Sequence, residues 1–234
     1  MNKLQRWIIL ALWCVTLFWM PLIAQAGSTA STLSKGLIGH WPLTTKAQDA
    51  TYDAKDVTPY SQHGTGTAVT VGATYTEFNG STYEVDIGGN VIGTGDITWS
   101  GWFYTQGEGQ NANIEMIYDN GNFMVFWYEP TLQILGRSNA VTTATSAGII
   151  NRNTWYHLVF TRPSGGANAN IYINGALSGS ANQNTGTPAA GSGNDLIGSD
   201  QARNFNFDGY LHDIRIYNRI LSQAEITLLY NSGE

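Results

Sequence analysis

Glu84-Val85-Asp86 sets two carboxylates two residues apart in a strand-like segment, and Glu115 lies in another. Paired carboxylates are the equipment of glycoside hydrolysis, in which a retaining enzyme holds an acid and a nucleophile about 5 Å apart across the scissile bond. No such pair forms here. Asp86 is followed by Ile87, Gly88, Gly89 and Asn90, and Glu115 stands alone. Both segments are expected to carry these side chains on a solvent face. The four histidines are scattered and Cys14 is the one cysteine, so a His/Cys metal cluster is not encoded. Calcium takes carboxylate, carbonyl and water oxygens from loops. Asp53 and Asp56 in an early polar loop are candidates for it, with turn-capping as the alternative role.

The strongest candidate for ligand contact is Tyr118-Asp119-Asn120-Gly121-Asn122 with the strand that follows it. Strand side chains alternate between faces, so Phe123, Val125 and Trp127 form one set, and Asn122, Met124, Phe126 and Tyr128 the other. An aromatic outer face with amides and carboxylates beside it suits a sugar: rings pack on C–H faces while Asn and Asp read hydroxyls. Asp119, Asn120, Asn122, Phe126 and Tyr128 are therefore expected to bind ligand. Arg137 and Asn139 near the next turn, and Arg203 and Asn204 further on, are polar companions. The alternative is a central strand buried on both faces.

The elements that must position these residues are strands. Gly36–Leu43, Asp96–Tyr104, Leu132–Arg137, Trp155–Arg162, Ile171–Ile173, Leu196–Gly198 and Tyr210–Tyr217 have β character and are separated by Gly/Asn/Ser/Thr turns. Two hairpins are predicted: Thr74–Phe78 with Thr82–Ile87 around Asn79-Gly80, and Ile114–Tyr118 with Asn122–Tyr128 around Asp119-Asn120-Gly121. The stretch Gly179–Gly193, poor in apolar residues, reads as a long mobile loop. After Tyr217 the period changes. Ser222 and Glu225 have capping-box spacing, and Ile226, Leu229 and Tyr230 form the apolar stripe of one short helix. The pattern is an antiparallel sandwich or barrel.

The first 26 residues read as a signal peptide: Lys3 and Arg6, an apolar run from Trp7 to Ile23, then Ala24-Gln25-Ala26. The run is at the short edge of a bilayer span, which leaves an uncleaved N-terminal anchor as the alternative. The expected mature domain is 27–234, exported to an extracellular or periplasmic site and free of membrane once cleaved. It has no cysteine, so a large core or a metal must hold it. Without Lys3 and Arg6, nine basic residues face 17 acidic ones, which argues against a nucleic-acid partner.

Four pieces, in order, resemble the laminin-G-like, concanavalin A-like lectin/glucanase superfamily. They are Gly36–Leu43 with the loop holding Asp56 and Ser61–Thr65; Phe78-Asn79-Gly80 with Ile97–Trp102; Trp155–Thr161 with Tyr172–Gly175; and Phe207–Ile226. The resemblance implies an all-β, two-sheet antiparallel jelly-roll sandwich with one short C-terminal helix. It places Trp41, Trp102 and Trp155 in the sandwich interior, and Trp99, alternating with Ile97, is read the same way. It also implies, in many relatives, a structural Ca²⁺ joining the early Asp loop to the terminal strand. At that strand His212 occupies the usual acidic position. Asp213 is the next residue and is expected on the opposite, solvent-facing side, so that calcium at Asp213 is in question. Jelly-roll glucanases of the laminarinase type carry E-x-D-x-x-E or E-x-D-x-E on one strand, which this chain lacks. The expected function is a secreted, non-catalytic module binding glycan or another extracellular surface. The alternative is a structural or assembly subunit acting through protein contacts, with a glycosidase third.

Overall fold

The structure, a computed structural model, describes residues 32–45, 53–67, 69–89, 91–107, 109–111, 113–138, 141–182 and 188–233. The expected signal peptide and Asn139 lie outside the described residues. Strand β15 (Asp208–Tyr217), the apolar terminal run, pairs along one side with β6 (Ile97–Thr105). On its other side it takes β4 (Thr76–Asn79) and then β1 (Leu37–Trp41). Beyond β6 follow β11 (Trp155–Arg162), β12 (Asn168–Ile173) and β13 (Ala176–Asn182), and beyond β4 lies β3 (Thr70–Val71), giving eight strands. The second sheet has seven strands in the order β10 (Val141–Ala144), β9 (Gln133–Ser138), β8 (Phe123–Tyr128), β7 (Ile114–Asp119), β14 (Asn194–Ile197), β5 (Glu84–Gly89) and β2 (Thr65–Thr67). The named strands all pair antiparallel. The compact unit they form begins at Gly36.

Alternation builds the core. Ile97, Trp99 and Phe103 of β6, Tyr156, Leu158 and Phe160 of β11, and Leu211, Ile214 and Ile216 of β15 are buried together with Phe123, Val125 and Trp127 of β8. Across the gap Trp99 meets Tyr118 at 6.1 Å and Phe123 meets Phe160 at 5.1 Å between ring centroids. Gly136 leaves room for the Phe160 ring, since a Cβ there would stand 2.7 Å from it. Trp41 is interior as expected. Trp102 and Trp155 are not. Trp99 and Trp102 are three apart on one strand and so must face opposite ways, and Trp102 pairs laterally with His157 and His212 on the outer face.

The predicted hairpin at Asp119-Asn120-Gly121 forms, between β7 and β8. The one at Asn79-Gly80 does not, because β4 and β5 belong to different sheets. Asn79 Oδ1 there accepts from the amides of Ser81, Thr82 and Tyr83, so the turn leads the chain over the sandwich edge. Gly179 to Asn182 is strand, the polar outer end of the edge strand β13.

Glu115 overturns the expectation of an exposed side chain. It is 2% exposed and points between the sheets, accepting from the Thr105 hydroxyl at 2.9 Å and the Gly109 amide at 3.0 Å. Burial pushes its carboxyl up to about 7, against the pull of those hydrogen bonds. Glu84 is 8% exposed and paired with Arg203.

The terminal helix, α1 (Gln223–Ser232), closes the unit with a complete capping box: Ser222 Oγ accepts from the Glu225 amide, and Glu225 accepts from the Ser222 amide at 2.9 Å. Arg219 grips the same carboxylate and, with burial opposing, holds it down to about 2. Ile226 and Leu229 are buried, and Tyr230 stacks on Trp102.

Two outcomes follow from this packing. Ser222→Ala should cost about 1 kcal/mol of unfolding free energy in urea, the usual value of an N-cap. For Glu115 the folded pKa lies above the unfolded one of about 4.3, so its contribution to stability is whole below that pH and is lost as pH rises towards 7. Glu115→Gln removes this loss. Its stability relative to wild type should rise by on the order of 3 kcal/mol between pH 4.5 and 8, read from urea melts at each pH.

Candidate ligand-binding site

The outer face of β7, β8 and β9 carries a groove of about 450 Å³. Its floor is apolar: Ile114 and Met116 from β7, Met124 and Phe126 from β8. Met116 and Phe126 are direct cross-strand partners, as are Met124 and Arg137 of β9, which brings the guanidinium to the groove. The expected alternation on β8 is present, with Phe123, Val125 and Trp127 inside the sandwich. Phe126 is 9% exposed, so it is a nearly covered floor residue and no open platform.

The opposite wall is the loop between β14 and β15, contributing Asp200, Gln201, Ala202 and Phe205. Carboxylates hold it in shape. Asp200 Oδ1 accepts from the amides of Asn204 (2.6 Å) and Phe205 (2.9 Å), and its Oδ2 accepts from Ala202 (3.1 Å). Asp119 Oδ1 accepts from Gly121 at 2.7 Å and Oδ2 from the Gln201 amide at 3.0 Å. The Met116 amide donates to Phe205 O at 2.8 Å and ties the loop alongside β7. Burial, opposed by these amide hydrogen bonds, pushes the Asp119 carboxyl above its ordinary value.

Beneath the groove the turn 119–122 is anchored from inside. The Tyr118 hydroxyl and the Asn120 side-chain Nδ2 both donate to Asp195 Oδ1, while Asp195 Oδ2 accepts from the Val91 backbone amide at 2.9 Å. Burial drives the Tyr118 phenol well above its usual value and raises Asp195 as well.

Three of the residues expected to bind ligand therefore line the groove: Asp119, Phe126 and Arg137. Asn120 does not. It is fully buried, with Oδ1 accepting from Asn122 and Phe123, and it builds the turn. Asn122 donates to Ala190 O at 2.7 Å, and neither it nor Tyr128 belongs to the lining. Arg203 pairs with Glu84, outside the groove. Sequence reasoning missed Met116, Gln201 and Ala202. The usable signal was Asp200, whose position four and five residues before Asn204 and Phe205 marks a carboxylate-capped turn.

The three carboxylates considered for calcium are engaged by protein donors. Asp53 Oδ2 accepts from the Gly66 amide. Asp56, 2% exposed, accepts from the amides of His40, Thr58 and Gln62 and from the Thr58 hydroxyl. Asp213 is part-buried and ion-paired, not a freely solvent-facing side chain. The strand bulges between His212 and Arg215, Asp213 takes φ +54°, and its Oδ1 accepts from His40 at 2.7 Å and Arg215 at 2.9 Å. His40 thus links the early loop to the terminal strand, its amide on Asp56 and its ring on Asp213. Among the described residues no three His, Cys, Asp or Glu side chains are grouped to hold a metal.

The sequence profile of the concanavalin A-like lectin/glucanases superfamily, laminin G type, matches residues 78–227. The chain belongs to this superfamily. No curated protein is matched by its sequence. Solved superfamily-like folds include the binding domain of Paraclostridial Mosquitocidal Protein 1, with a TM-score of 0.69 at 18% identity over 84% of this chain and 52% of that one. The ligand binding domain of botulinum neurotoxin serotype D, solved with N-acetylneuraminic acid, gives 0.66 at 14% identity over 87% and 52%. The binding domain of botulinum neurotoxin DC, solved with rat synaptotagmin II, gives 0.63 at 17% over 85% and 52%. The chain spans about half the length of these structures, and the likeness is one of fold. These neighbours are binding domains.

Proposed function

We propose that this chain is a secreted, non-catalytic binding module whose groove over β7–β9 takes a glycan. The observation that carries the reading is a groove built before any ligand arrives: an apolar floor at Phe126 and Met124, facing a loop locked by Asp119 and Asp200, with Arg137 at hand. Preorganisation of that kind lowers the ordering cost of binding. The groove's two carboxylates support a non-catalytic role, because each has both oxygens committed to backbone amides. The solved complexes of neighbours with N-acetylneuraminic acid and with rat synaptotagmin II bring glycan and protein ligands within the range of this class of domain. The second reading, a protein-contacting assembly subunit, draws on the latter.

A glycan array with the full chain tests the choice. Arg137→Ala, at an exposed position, and Met124→Ala should each weaken binding of the array's best ligand by about tenfold, the 1.4 kcal/mol of one good contact, with the melting temperature unchanged. Absence of glycan binding together with co-purification of a protein partner would transfer the function to the assembly reading.

Calcium is proposed to have no structural part at the His40 junction. A cation bridging Asp56 and Asp213 would compete with four hydrogen-bond donors at the first and with the imidazole and guanidinium at the second. Melts with EDTA and with 5 mM CaCl₂ (roughly a saturating dose for extracellular sites) should coincide; a rise with calcium would sink this view.

A further inference from the structure

The eight-stranded sheet has an outer face of unusual composition. Two lateral rows cross its centre: Trp155–Tyr104–Tyr210 on β11, β6 and β15, and, two residues along each strand, His157–Trp102–His212. The second row is roofed by Tyr230 of α1, which stacks at 5.8 Å on Trp102, itself stacked at 5.7 Å on His212. The roof does not extend over the first row. Trp155, Tyr104 and Tyr210 are half-buried, and Tyr75 from the β3–β4 turn is 37% exposed. Tyr75 lies 5.7 Å from the Trp155 ring and 4.6 Å from Tyr210.

Between that turn and the helix lies a groove of about 700 Å³, larger than the one over β7–β9 and on the opposite sheet. Tyr75 and Trp155 form one wall and Tyr230 the other; His212, Asp213 and Arg215 are also part of the lining. The bulge at Asp213 is what brings this carboxylate to the groove beside His212, and the bonds from His40 and Arg215 fix its orientation. The turn carrying Tyr75 is itself held, by the Gly72 amide on Tyr75 O and the Thr45 amide on Gly72 O.

We propose that this aromatic groove is a second ligand site, taking a neutral oligosaccharide. Tilted aromatic walls offer faces to sugar C–H groups, and an oriented carboxylate–guanidinium pair supplies both acceptors and donors for hydroxyls. The volume falls in the range of ordinary ligand pockets, about 300–1,000 Å³. Charge selects a neutral sugar. Arg215 is balanced by Asp213, burial keeps the His212 ring towards its neutral form, and the chain as a whole is acidic. An anionic sugar or an anionic lipid surface would meet no uncompensated cation in the lining. With sites on opposite sheets one chain can bridge two glycan strands, so that avidity on a polysaccharide exceeds affinity for a short oligomer.

The test is retardation of the full chain in native gels containing soluble β-glucan, xylan or galactomannan. Wild type should be slowed by at least one of the three. Trp155→Ala and Tyr75→Ala should each weaken that retention at least fivefold, whereas Arg137→Ala should leave the contribution of this groove in place. Tyr75 is an exposed turn residue, so its variant reports even if Trp155→Ala proves unstable. No retardation of wild type, retention equal to wild type in both variants, or Trp155-dependent binding to phosphatidylcholine vesicles in place of the polysaccharides would each overturn the proposal. Loss of binding in Arg137→Ala alone would support the first groove and overturn the second, so the two readings fail separately.

Discussion

The ladder between β6 and β15 sets the register of everything else. Its inward residues, Trp99 and Phe103 with Leu211, Ile214 and Ile216, supply the middle of the core. Of its outward residues, Trp102 and His212 line the second groove, and Tyr104 and Tyr210 form the aromatic row beside it. A one-residue slip would exchange these sets. The bulge at Asp213 divides the ladder, and β15 changes partner near it from β4 to β1. One backbone irregularity thereby closes the sheet against the first strand and turns a charged side chain towards a groove.

Buried carboxylates provide the second level of order. Beyond Cys14 the chain has no cysteine, and its long connections are shaped instead by Asp56, Asp119, Asp195 and Asp200 accepting backbone amides. Hydrogen bonds to charged groups contribute roughly 1.5–3 kcal/mol each, against the cost of taking the charge out of water. That cost is visible where Asp119 and Asp195 are held above their ordinary values. Loops built this way are defined before a ligand is present, which is the property a recognition surface needs.

Legibility followed the range of the interactions. The capping box at Ser222 and the turn at Asp119-Asn120-Gly121 are local and were read correctly. So was the alternation on β8 that places Phe126 at the groove. Asn79-Gly80 had an equally strong turn signal, yet its flanking strands join different sheets, because Asn79 caps the turn through its side chain and Gly80 bonds to Phe207. Glu115 looked like a solvent-facing acid, but β6 lies across from it and Thr105 bonds its carboxylate. Trp102 and Trp155 looked like core residues, and only strand parity, counted against Trp99 and Tyr156, places them outside.

The two-sheet jelly roll is implied by the family resemblance, while composition and spacing alone point to an antiparallel sandwich or barrel closed by a capped helix, with one strand carrying an aromatic outer face. Those features depend on alternation along single strands and on bonds spanning three or four residues. Which strands share a sheet, which acids are buried, and where two grooves open were decided by tertiary structure. Several of the deciding contacts reach a partner 70 or more residues away, such as Asp195 for Tyr118 or Asp213 for His40, whose approach no local pattern encodes.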